Sequence, residues 1–409
     1  MVSIVPFKAL RPEAQHAKTV ASRPYDVLNS KEAKVEAQGN PNSFLHITKS
    51  EIDLPESADI HSKEVYEKAK ENLNAFISRN ILFRENKPCY YLYRLTWKGR
   101  SQTGIVCGSS VDDYENGLVK KHEFTRPEKE EDRINHILTT RAQTGNVFLA
   151  YRNINVIDEL VSKWTSEKNP LYDFVADDEV QHTIWIVSDD DTIHSITNSF
   201  KALVPATYIA DGHHRAASAA KVRERLGANA PASASYFLTT LFPSNQLEIM
   251  DYNRVVKDLN GHTAADIIEK LSANFSVNEE SSRVKPASLH EFGLYLDKKW
   301  YRLHSKEGTW KDDPIGVLDT TIIQEHLFDS ILGIKDQRTD KRIDFVGGIR
   351  GLEELEKRVD SGEMALAVSF YPVSIPQLFD IADSGEVMPP KSTWFEPKLR
   401  DGLLTHIID

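Results

Sequence analysis

The pattern of apolar and polar positions predicts helices and strands in comparable numbers. Residues 57–80 carry apolar side chains at helical spacing with charges on the opposite face, which predicts an amphipathic helix. Residues 89–110 form two aromatic and β-branched runs around Lys98 and Gly99, which predicts a hairpin. Pro127 is suited to the first turn of a further helix, because its missing N–H has no partner there in any case.

The central part of the chain predicts a mixed α/β fold. Short buried runs alternate there with helical segments, and the order strand, helix, strand, helix, strand favours a sheet with some parallel pairing. The C-terminal part repeats this alternation. We expect α/β elements at both ends of the central region and three segments in all, with a loose boundary near Asn260: residues 1–110, 111–258 and 259–409.

Composition and charge narrow the class of protein. The 409 residues are 40% hydrophobic, which allows a sizeable core, and the net charge of -11 argues against a general affinity for nucleic acid. No apolar run is long enough to span a bilayer, so no membrane association is predicted. Cys89 and Cys107 are too few for a disulfide framework. We expect a cytoplasmic protein, and a homo-oligomer is compatible with these properties.

The stretch Tyr208–Ala220 carries the strongest chemical signal. Asp211, Gly212, His213, His214 and Arg215 follow a short apolar run and precede an alanine-rich helix. Backbone N–H groups at a helix start lack intrahelical partners and favour an anion. The Arg215 guanidinium matches phosphate oxygens, a histidine can act as a donor or base, and Asp211 can bind magnesium or accept a proton.

Structural roles compete with these functional ones. Asp211 could cap the helix, and Arg215 could pair with a nearby acid. His213 and His214 point about 100° apart on a helix, which opposes a shared structural zinc site.

A second candidate group precedes the helix predicted at Pro127. His122 and Glu123 lie on a loop, where an imidazole and a carboxylate can work as base and orienter, and Arg126 can contact phosphate. Glu123 is therefore a second candidate for the general base or the metal ligand. The alternative for the following charged residues is a solvated helix surface.

Two further loops contribute candidates. Arg23 and Asp26 flank Pro24-Tyr25, and Asp26 is either a catalytic carboxylate or a turn residue, with Arg23 as a phosphate contact. Lys391 and Ser392 follow two prolines, which stiffen the loop and present an ammonium and a hydroxyl to phosphate. The alternative for Lys391 is an ordinary surface lysine.

Five motifs carry a resemblance to a known family: Asp211 to Arg215, Arg23 to Val27, His122 to Arg133, Tyr252 to Arg254 and Met388 to Thr393. Through them, and along nearly its whole length, the chain resembles a bacterial and archaeal family of unknown function. The resemblance implies no established activity, although members are often associated with serine biosynthesis genes, which implies a serine or phosphoserine substrate.

Residues Gly212 to Ser218 also resemble the Gly-x-x-Arg-x-x-Ala box of the ParB/sulfiredoxin superfamily. In that superfamily the turn and the arginine bind nucleotide phosphates, and its members include nucleotide hydrolases, sulfiredoxins and an ADP-dependent free serine kinase. Ser218 stands where alanine is usual. No cysteine lies in the box, so sulfiredoxin chemistry is set aside. The resemblance implies a ParB/sulfiredoxin-like central region.

These features predict a nucleotide-dependent phosphotransferase that acts on a small hydroxyl substrate such as serine, with Mg²⁺ and ATP or ADP as cofactors. Phosphoryl transfer suits the residue set, because its catalysis is mostly positioning and electrostatics. The alternatives are a phosphatase or nucleotide hydrolase, in which water is the acceptor, and a non-catalytic nucleotide-sensing regulator. In each case the partner is a small phosphorylated ligand.

Overall fold

The computed structural model describes residues 1–409, which divide into two compact units. Unit 1 comprises Met1–Leu247 together with the C-terminal segment Pro397–Asp409, and unit 2 comprises Glu248–Glu396. The C-terminal segment is tied into unit 1 by a β-bridge between Ser22 and Asp401. Residues at the two ends of the chain are therefore parts of one unit.

Thirteen α-helices are present, and most of the longer ones bury one apolar face. They are α1 Ala17–Val20, α2 Ser30–Ala37, α3 Leu45–Thr48, α4 Lys63–Ser78, α5 Val111–Glu115, α6 Pro127–Thr140, α7 Asn155–Glu167, α8 Asp190–Leu203, α9 His213–Leu226, α10 Ala264–Leu271, α11 Asp319–Ile323, α12 Gly351–Asp360 and α13 Ile375–Ser384. Pro127 occupies the first turn of α6, as predicted.

Twenty-one strands complete the two units. They are β1 Ile4–Val5, β2 Leu10–Pro12, β3 Leu82–Arg84, β4 Tyr90–Trp97, β5 Arg100–Ser110, β6 Val119–Lys120, β7 Ala142–Gln143, β8 Val147–Tyr151, β9 Tyr172–Val175, β10 Gln181–Val187, β11 Thr207–Asp211, β12 Tyr236–Pro243, β13 Ile249–Met250, β14 Tyr252–Val256, β15 Phe275–Glu280, β16 Glu291–Leu296, β17 Lys299–Ser305, β18 Ile343–Gly347, β19 Leu366–Phe370, β20 Trp394–Phe395 and β21 His406–Ile407.

Unit 1 is built on a nine-stranded sheet in the order β6-β11-β8-β12-β5-β4-β10-β9, with β1 paired to β5. The pairs β6/β11 and β8/β12 are parallel and the others are antiparallel. The predicted mixed α/β fold with some parallel pairing is therefore confirmed. The predicted hairpin is β4/β5, and its turn residues Lys98 and Gly99 both have positive φ, which matches the twist of the paired strands.

A register shift near the end of β11 helps to place the candidate site. The pairing of β11 with β8 shifts between Ile209 and Asp211, as in a β-bulge. A bulge changes the direction of the following side chain, here Asp211. Helix α9 starts two residues later and packs against α6, so the segments that begin at residues 127 and 213 lie side by side.

Unit 2 contains a six-stranded antiparallel sheet in the order β15-β17-β16-β19-β14-β18. One face packs on α10, α11 and the π-helix Gln324–Asp329 through an apolar cluster that includes Phe292, Leu294, Ile323 and Leu327. The other face of the sheet packs against α12 through a second apolar cluster. The unit thus has its own hydrophobic cores.

The predicted segments 1–110, 111–258 and 259–409 differ from this division. Strands β5 and β12 pair across the first predicted boundary, and the structural division falls after Leu247. The difference arises because the chain returns to unit 1 at Pro397, a long-range event that leaves no local signal. No helix combines the length and the apolar character that a membrane span requires.

Candidate functional site

The candidate site is centred on the start of α9. Gly212 is the N-cap residue of this helix, with φ of 100°, and no side chain caps the helix. A side chain at this position would be strained, because L residues rarely adopt such a φ. Its Cβ would also lie 3.0 Å from Cζ of Arg215. Glycine therefore lets the backbone turn from β11 into α9 directly against the guanidinium group.

The Arg215 side chain is buried and surrounded by acceptors of unit 1. Its Nη1 donates to the Asn146 carbonyl oxygen, and its Nη2 lies 3.3 Å from Asp26 Oδ2 and 3.4 Å from Asp211 Oδ1. Burial opposes the positive charge, but Asp26 and Asp211 outweigh it and raise the pKa of Arg215 above its usual value. The local acid pairing that competed with the phosphate role is thus present, and a bidentate phosphate contact is not preformed.

Asp211 is held between two cations. Its Oδ2 lies 3.1 Å from Lys398 Nζ, and its Oδ1 faces Arg215. Burial raises the pKa of Asp211, but Lys398 and Arg215 outweigh burial and hold the pKa well below its usual value. The cap role considered for Asp211 is not seen, because no side chain caps α9. A carboxylate held in this way is a poor proton acceptor near neutral pH.

Asp401 completes the charged group and was not identified from the sequence. It is 2% exposed, it lies beside Arg215 and Asp26, and burial raises its pKa to about 7 while Arg215 opposes the rise. Paired backbone hydrogen bonds, at 2.9 and 3.1 Å, hold it against Ser22, which lies four residues before Asp26 in the chain. The only sequence signal is the group of charged residues Lys398, Arg400 and Asp401 among apolar ones, which does not indicate where the segment docks.

Two imidazoles lie next to this group. The rings of His122 and His213 are perpendicular, with centroids 4.6 Å apart, and both are buried. Burial lowers the pKa of His122 to about 4 and lowers that of His213 well below its usual value, so both rings are neutral at pH 7. Glu123 Oε2 lies 3.7 Å from His213 Nδ1, and its side chain is 39% exposed. His213 Nε2 is buried without a hydrogen-bond partner.

The loop before α6 is fixed to the start of α9. The Arg126 backbone N–H donates to His214 Nε2 at 3.0 Å, which makes Nε2 the unprotonated nitrogen of that ring. One turn further on, the Ser218 hydroxyl donates to the carbonyl oxygens of His214 and Glu130, at 2.7 and 3.2 Å. Ser218 therefore links α9 to α6.

Asp26 is positioned by a layer of aromatic and charged residues. It lies in the 3-10 helix Tyr25–Val27, and its side chain is 31% exposed. Arg133 Cζ lies 4.0 Å from the centroid of the Tyr25 ring, and Arg133 Nη2 lies 2.6 Å from Asp132 Oδ2. Tyr25, Arg133 and Arg215 line a cavity of about 20 Å³, room for about one water molecule. The predicted solvated helix surface is thus partly buried at Asp132 and Arg133.

The remaining candidates are described by their own contacts and exposure. Arg23 is ion-paired through its side chain with Glu36, and the Arg126 side chain is exposed. Lys391 and Ser392 belong to unit 2, where Lys391 is exposed with φ of 58° and the Ser392 hydroxyl donates to the Pro389 carbonyl oxygen at 2.7 Å. Phosphate binding by these four residues stays a prediction.

The structure has no group of three or more His, Cys, Asp or Glu side chains arranged to hold a metal ion. Asp26, Asp211 and Asp401 are instead gathered around the guanidinium of Arg215, which occupies the position of a cation. A metal that binds here would have to bring further ligands with it.

Comparison with solved structures finds distant matches. A free serine kinase in complex with AMP has 14% sequence identity and a TM-score of 0.38, covering 75% of this chain and 91% of its own. A conserved hypothetical protein from Pyrococcus furiosus has 15% identity and a TM-score of 0.36, covering 74% and 94%. SbnI from Staphylococcus aureus, with a C-terminal truncation, has 10% identity and a TM-score of 0.37, covering 72% and 85%.

Among curated proteins, no sequence matches this chain. A family model does match, and it spans residues 4–321, more than half of the chain. The chain belongs to the family described as protein of unknown function DUF1015.

Proposed function

We propose that unit 1 binds the phosphates of a nucleotide at the start of α9 and transfers a phosphoryl group to a small hydroxyl substrate. The observation that carries the proposal is the uncapped start of α9 at Gly212, with the Arg215 guanidinium folded against it. The first N–H groups of a helix have no intrahelical partners, and the helix dipole adds partial positive charge. A phosphate at this point gains hydrogen bonds from the backbone and electrostatic stabilisation from Arg215.

The charge of the surrounding group favours a ligand that arrives with a cation. Arg215 and Lys398 contribute two positive charges, whereas Asp26, Asp211 and Asp401 contribute up to three negative ones. A bare triphosphate would add repulsion to this excess. Mg²⁺ commonly binds through one or two carboxylates together with substrate phosphates, so a preformed cluster of three ligands is not required. The partly exposed Asp26 suits this role, and Mg²⁺ would neutralise charge on the phosphates.

The proton acceptor must be a carboxylate that the substrate hydroxyl can reach. Asp211 is excluded by its contacts with Lys398 and Arg215. Glu123 is partly exposed and lies beside the neutral ring of His213, which can orient it. We therefore assign Glu123 as the base that accepts the proton of the substrate hydroxyl, with Asp26 as the alternative.

Serine is the first acceptor to test. The Gly212 to Ser218 box resembles the superfamily that includes an ADP-dependent free serine kinase, and a hydroxyl acceptor matches a carboxylate base. The proposed site would accommodate a phosphate and a hydroxyl group, and water is equally compatible as the acceptor.

The first experiment measures binding and transfer with the full-length protein. Thermal shift and calorimetry with ATP, ADP and AMP, with and without Mg²⁺, test the phosphate site. Phosphorus NMR then follows phosphoryl transfer from ATP or ADP to L-serine. Transfer to serine supports the proposal. Release of inorganic phosphate without phosphoserine would make the protein a hydrolase, and tight binding without turnover would make it a sensor.

Variants then separate the base from the phosphate site. Glu123→Gln keeps the size of the side chain and removes its charge, so we expect near-normal nucleotide binding and turnover lower by about 10² to 10⁴. Glu128→Gln, an exposed residue in the first turn of α6, is the matched control and should retain full turnover. If Asp26→Asn loses turnover while its binding of Mg·ATP stays normal, and Glu123→Gln keeps turnover, the base is Asp26.

A further inference from the structure

Phe124 is far more exposed to solvent than the other Phe, Tyr and Trp residues of the chain. The chain has 17 Phe, 14 Tyr and 6 Trp residues, and Phe124 is the only one of them in the exposed class, at 65%. An exposed phenyl ring leaves a large apolar surface in contact with water, which is unfavourable. A ring that could have been buried, as the other phenylalanines are to varying degrees, is instead presented to solvent.

The position of Phe124 connects this exposure with the candidate site. The preceding residue, Glu123, approaches His213 to 3.7 Å, and two residues later the Arg126 N–H donates to His214 Nε2 at 3.0 Å. Consecutive Cα atoms are about 3.8 Å apart, so the backbone of Phe124 passes close to the first turn of α9. The ring thus stands on a loop that is fixed at both sides to the proposed phosphate site.

We propose that Phe124 is the stacking platform for the aromatic base of the nucleotide, an inference that rests on the proposed function. An aromatic ring and a nucleobase stack face to face with little dependence on base identity, and an exposed phenyl ring gains apolar burial when the base covers it. The platform distinguishes a nucleotide from inorganic phosphate or polyphosphate. The site therefore recognises two parts of one ligand, the phosphates at Gly212 and the base at Phe124.

The test compares two probes, Mg·ATP and Mg·tripolyphosphate, on the full-length protein by calorimetry. Phe124→Ala should weaken ATP binding by about 5- to 100-fold and change tripolyphosphate binding by less than about twofold. Phe124→Trp should retain ATP affinity, and ATP but not tripolyphosphate should quench the added indole fluorescence. Val156→Ala removes an exposed apolar side chain from α7 and should change neither affinity.

Each other outcome overturns the proposal in a distinguishable way. Equal losses for both probes in Phe124→Ala would mean that the ring only positions the loop. Unchanged ATP binding in that variant would remove the platform and leave the phosphate site intact. Failure of the parent protein to bind either probe would overturn both the platform and the proposed function. Thermal unfolding of each variant checks that the fold is retained, which the exposure of Phe124 favours.

Discussion

Arg215 Nη2 lies 3.3 Å from Asp26 Oδ2, although the two residues are 189 positions apart in the chain. This contact joins the Arg-Pro-Tyr-Asp segment to the Asp-Gly-His-His-Arg segment, two motifs that the sequence presents as separate. Asp211 pairs with the same guanidinium, whose positive charge also acts on Asp401, so Arg215 is both the centre of the site and the main counter-ion for its acids.

Arg215→Ala should therefore lower both stability and phosphate binding. Removal of the guanidinium leaves neighbouring carboxylates without their counter-ion, so we expect a loss of about 3 kcal/mol in the free energy of unfolding. Nucleotide affinity should fall by about 10- to 100-fold. Urea denaturation and calorimetry measure the two effects.

Arg223→Ala is the matched control for this change. Arg223 lies on the same helix and pairs with Asp112 at 2.6 Å on the surface of unit 1. Its loss should cost about 1 kcal/mol or less and leave nucleotide binding unchanged. Equal effects of the two variants would contradict the central role of Arg215.

Gly212→Ala tests the close approach between the turn and the guanidinium. Gly212 and Gly227 lie at the two ends of α9 and both have positive φ, but only at Gly212 does an added Cβ meet Arg215. Alanine should cost about 1 kcal/mol of stability or more at either position because of backbone strain. Only Gly212→Ala should displace Arg215 and weaken nucleotide binding. A similar loss of binding in Gly227→Ala would show that strain in α9, and not the contact, matters.

Local patterns predicted the elements of the fold well, because each depends on neighbouring residues. The helix that begins at Pro127, the hairpin turn at Lys98 and the turn at Gly212 all follow from one side chain or its absence. Eight of the candidates named from the sequence also lie together at the start of α9, or contribute to it through the backbone in the case of Arg126. They are Asp26, Glu123, Arg126, Asp211, Gly212, His213, His214 and Arg215.

Long-range partners were beyond local reasoning. Asp401 and Lys398 enter the site only because the C-terminal segment pairs with Ser22 near the other end of the chain. In the sequence, charged residues near a terminus look the same whether their segment is exposed to solvent or packed against the rest of unit 1. The pairing of Arg215 with Asp26 was likewise open, since an arginine next to a glycine turn suits a phosphate and a carboxylate equally.

Asp401→Asn should change how stability depends on pH. An unfolded aspartate has a pKa of about 3.9, whereas burial raises the pKa of Asp401 to about 7 in the folded protein. Between these values the folded state binds more protons than the unfolded state, so this residue makes stability fall as pH rises, by at most about 1.4 kcal/mol per pH unit. The variant cannot titrate there and should lose that slope. Its stability relative to the parent should therefore rise with pH.

Urea denaturation at several pH values between about 4 and 8 measures this slope. Asp178→Asn is the control, because Asp178 is a partly exposed carboxylate, at 46%, that pairs with Arg400 in the same segment. The free energy of unfolding of this variant should depend on pH in the same way as that of the parent. A constant difference between Asp401→Asn and the parent across this range would show that Asp401 is ionised throughout.

Arg254→Lys should destabilise unit 2 even though it conserves charge. Arg254 is fully buried, and it donates to the carbonyl oxygens of Tyr252 and Pro390 and to Gln337, without a carboxylate partner. Its guanidinium also lies 5.1 and 5.0 Å from the ring centroids of Phe345 and Phe370.

An ammonium is a compact, strongly hydrated charge that cannot span three divergent acceptors, so the Arg254→Lys variant leaves acceptors unsatisfied in the core. We expect a loss of about 2 to 4 kcal/mol by urea denaturation. Arg338→Lys, at an exposed pair with Asp336, should cost less than about 0.5 kcal/mol, and equal stability of the two variants would contradict the prediction.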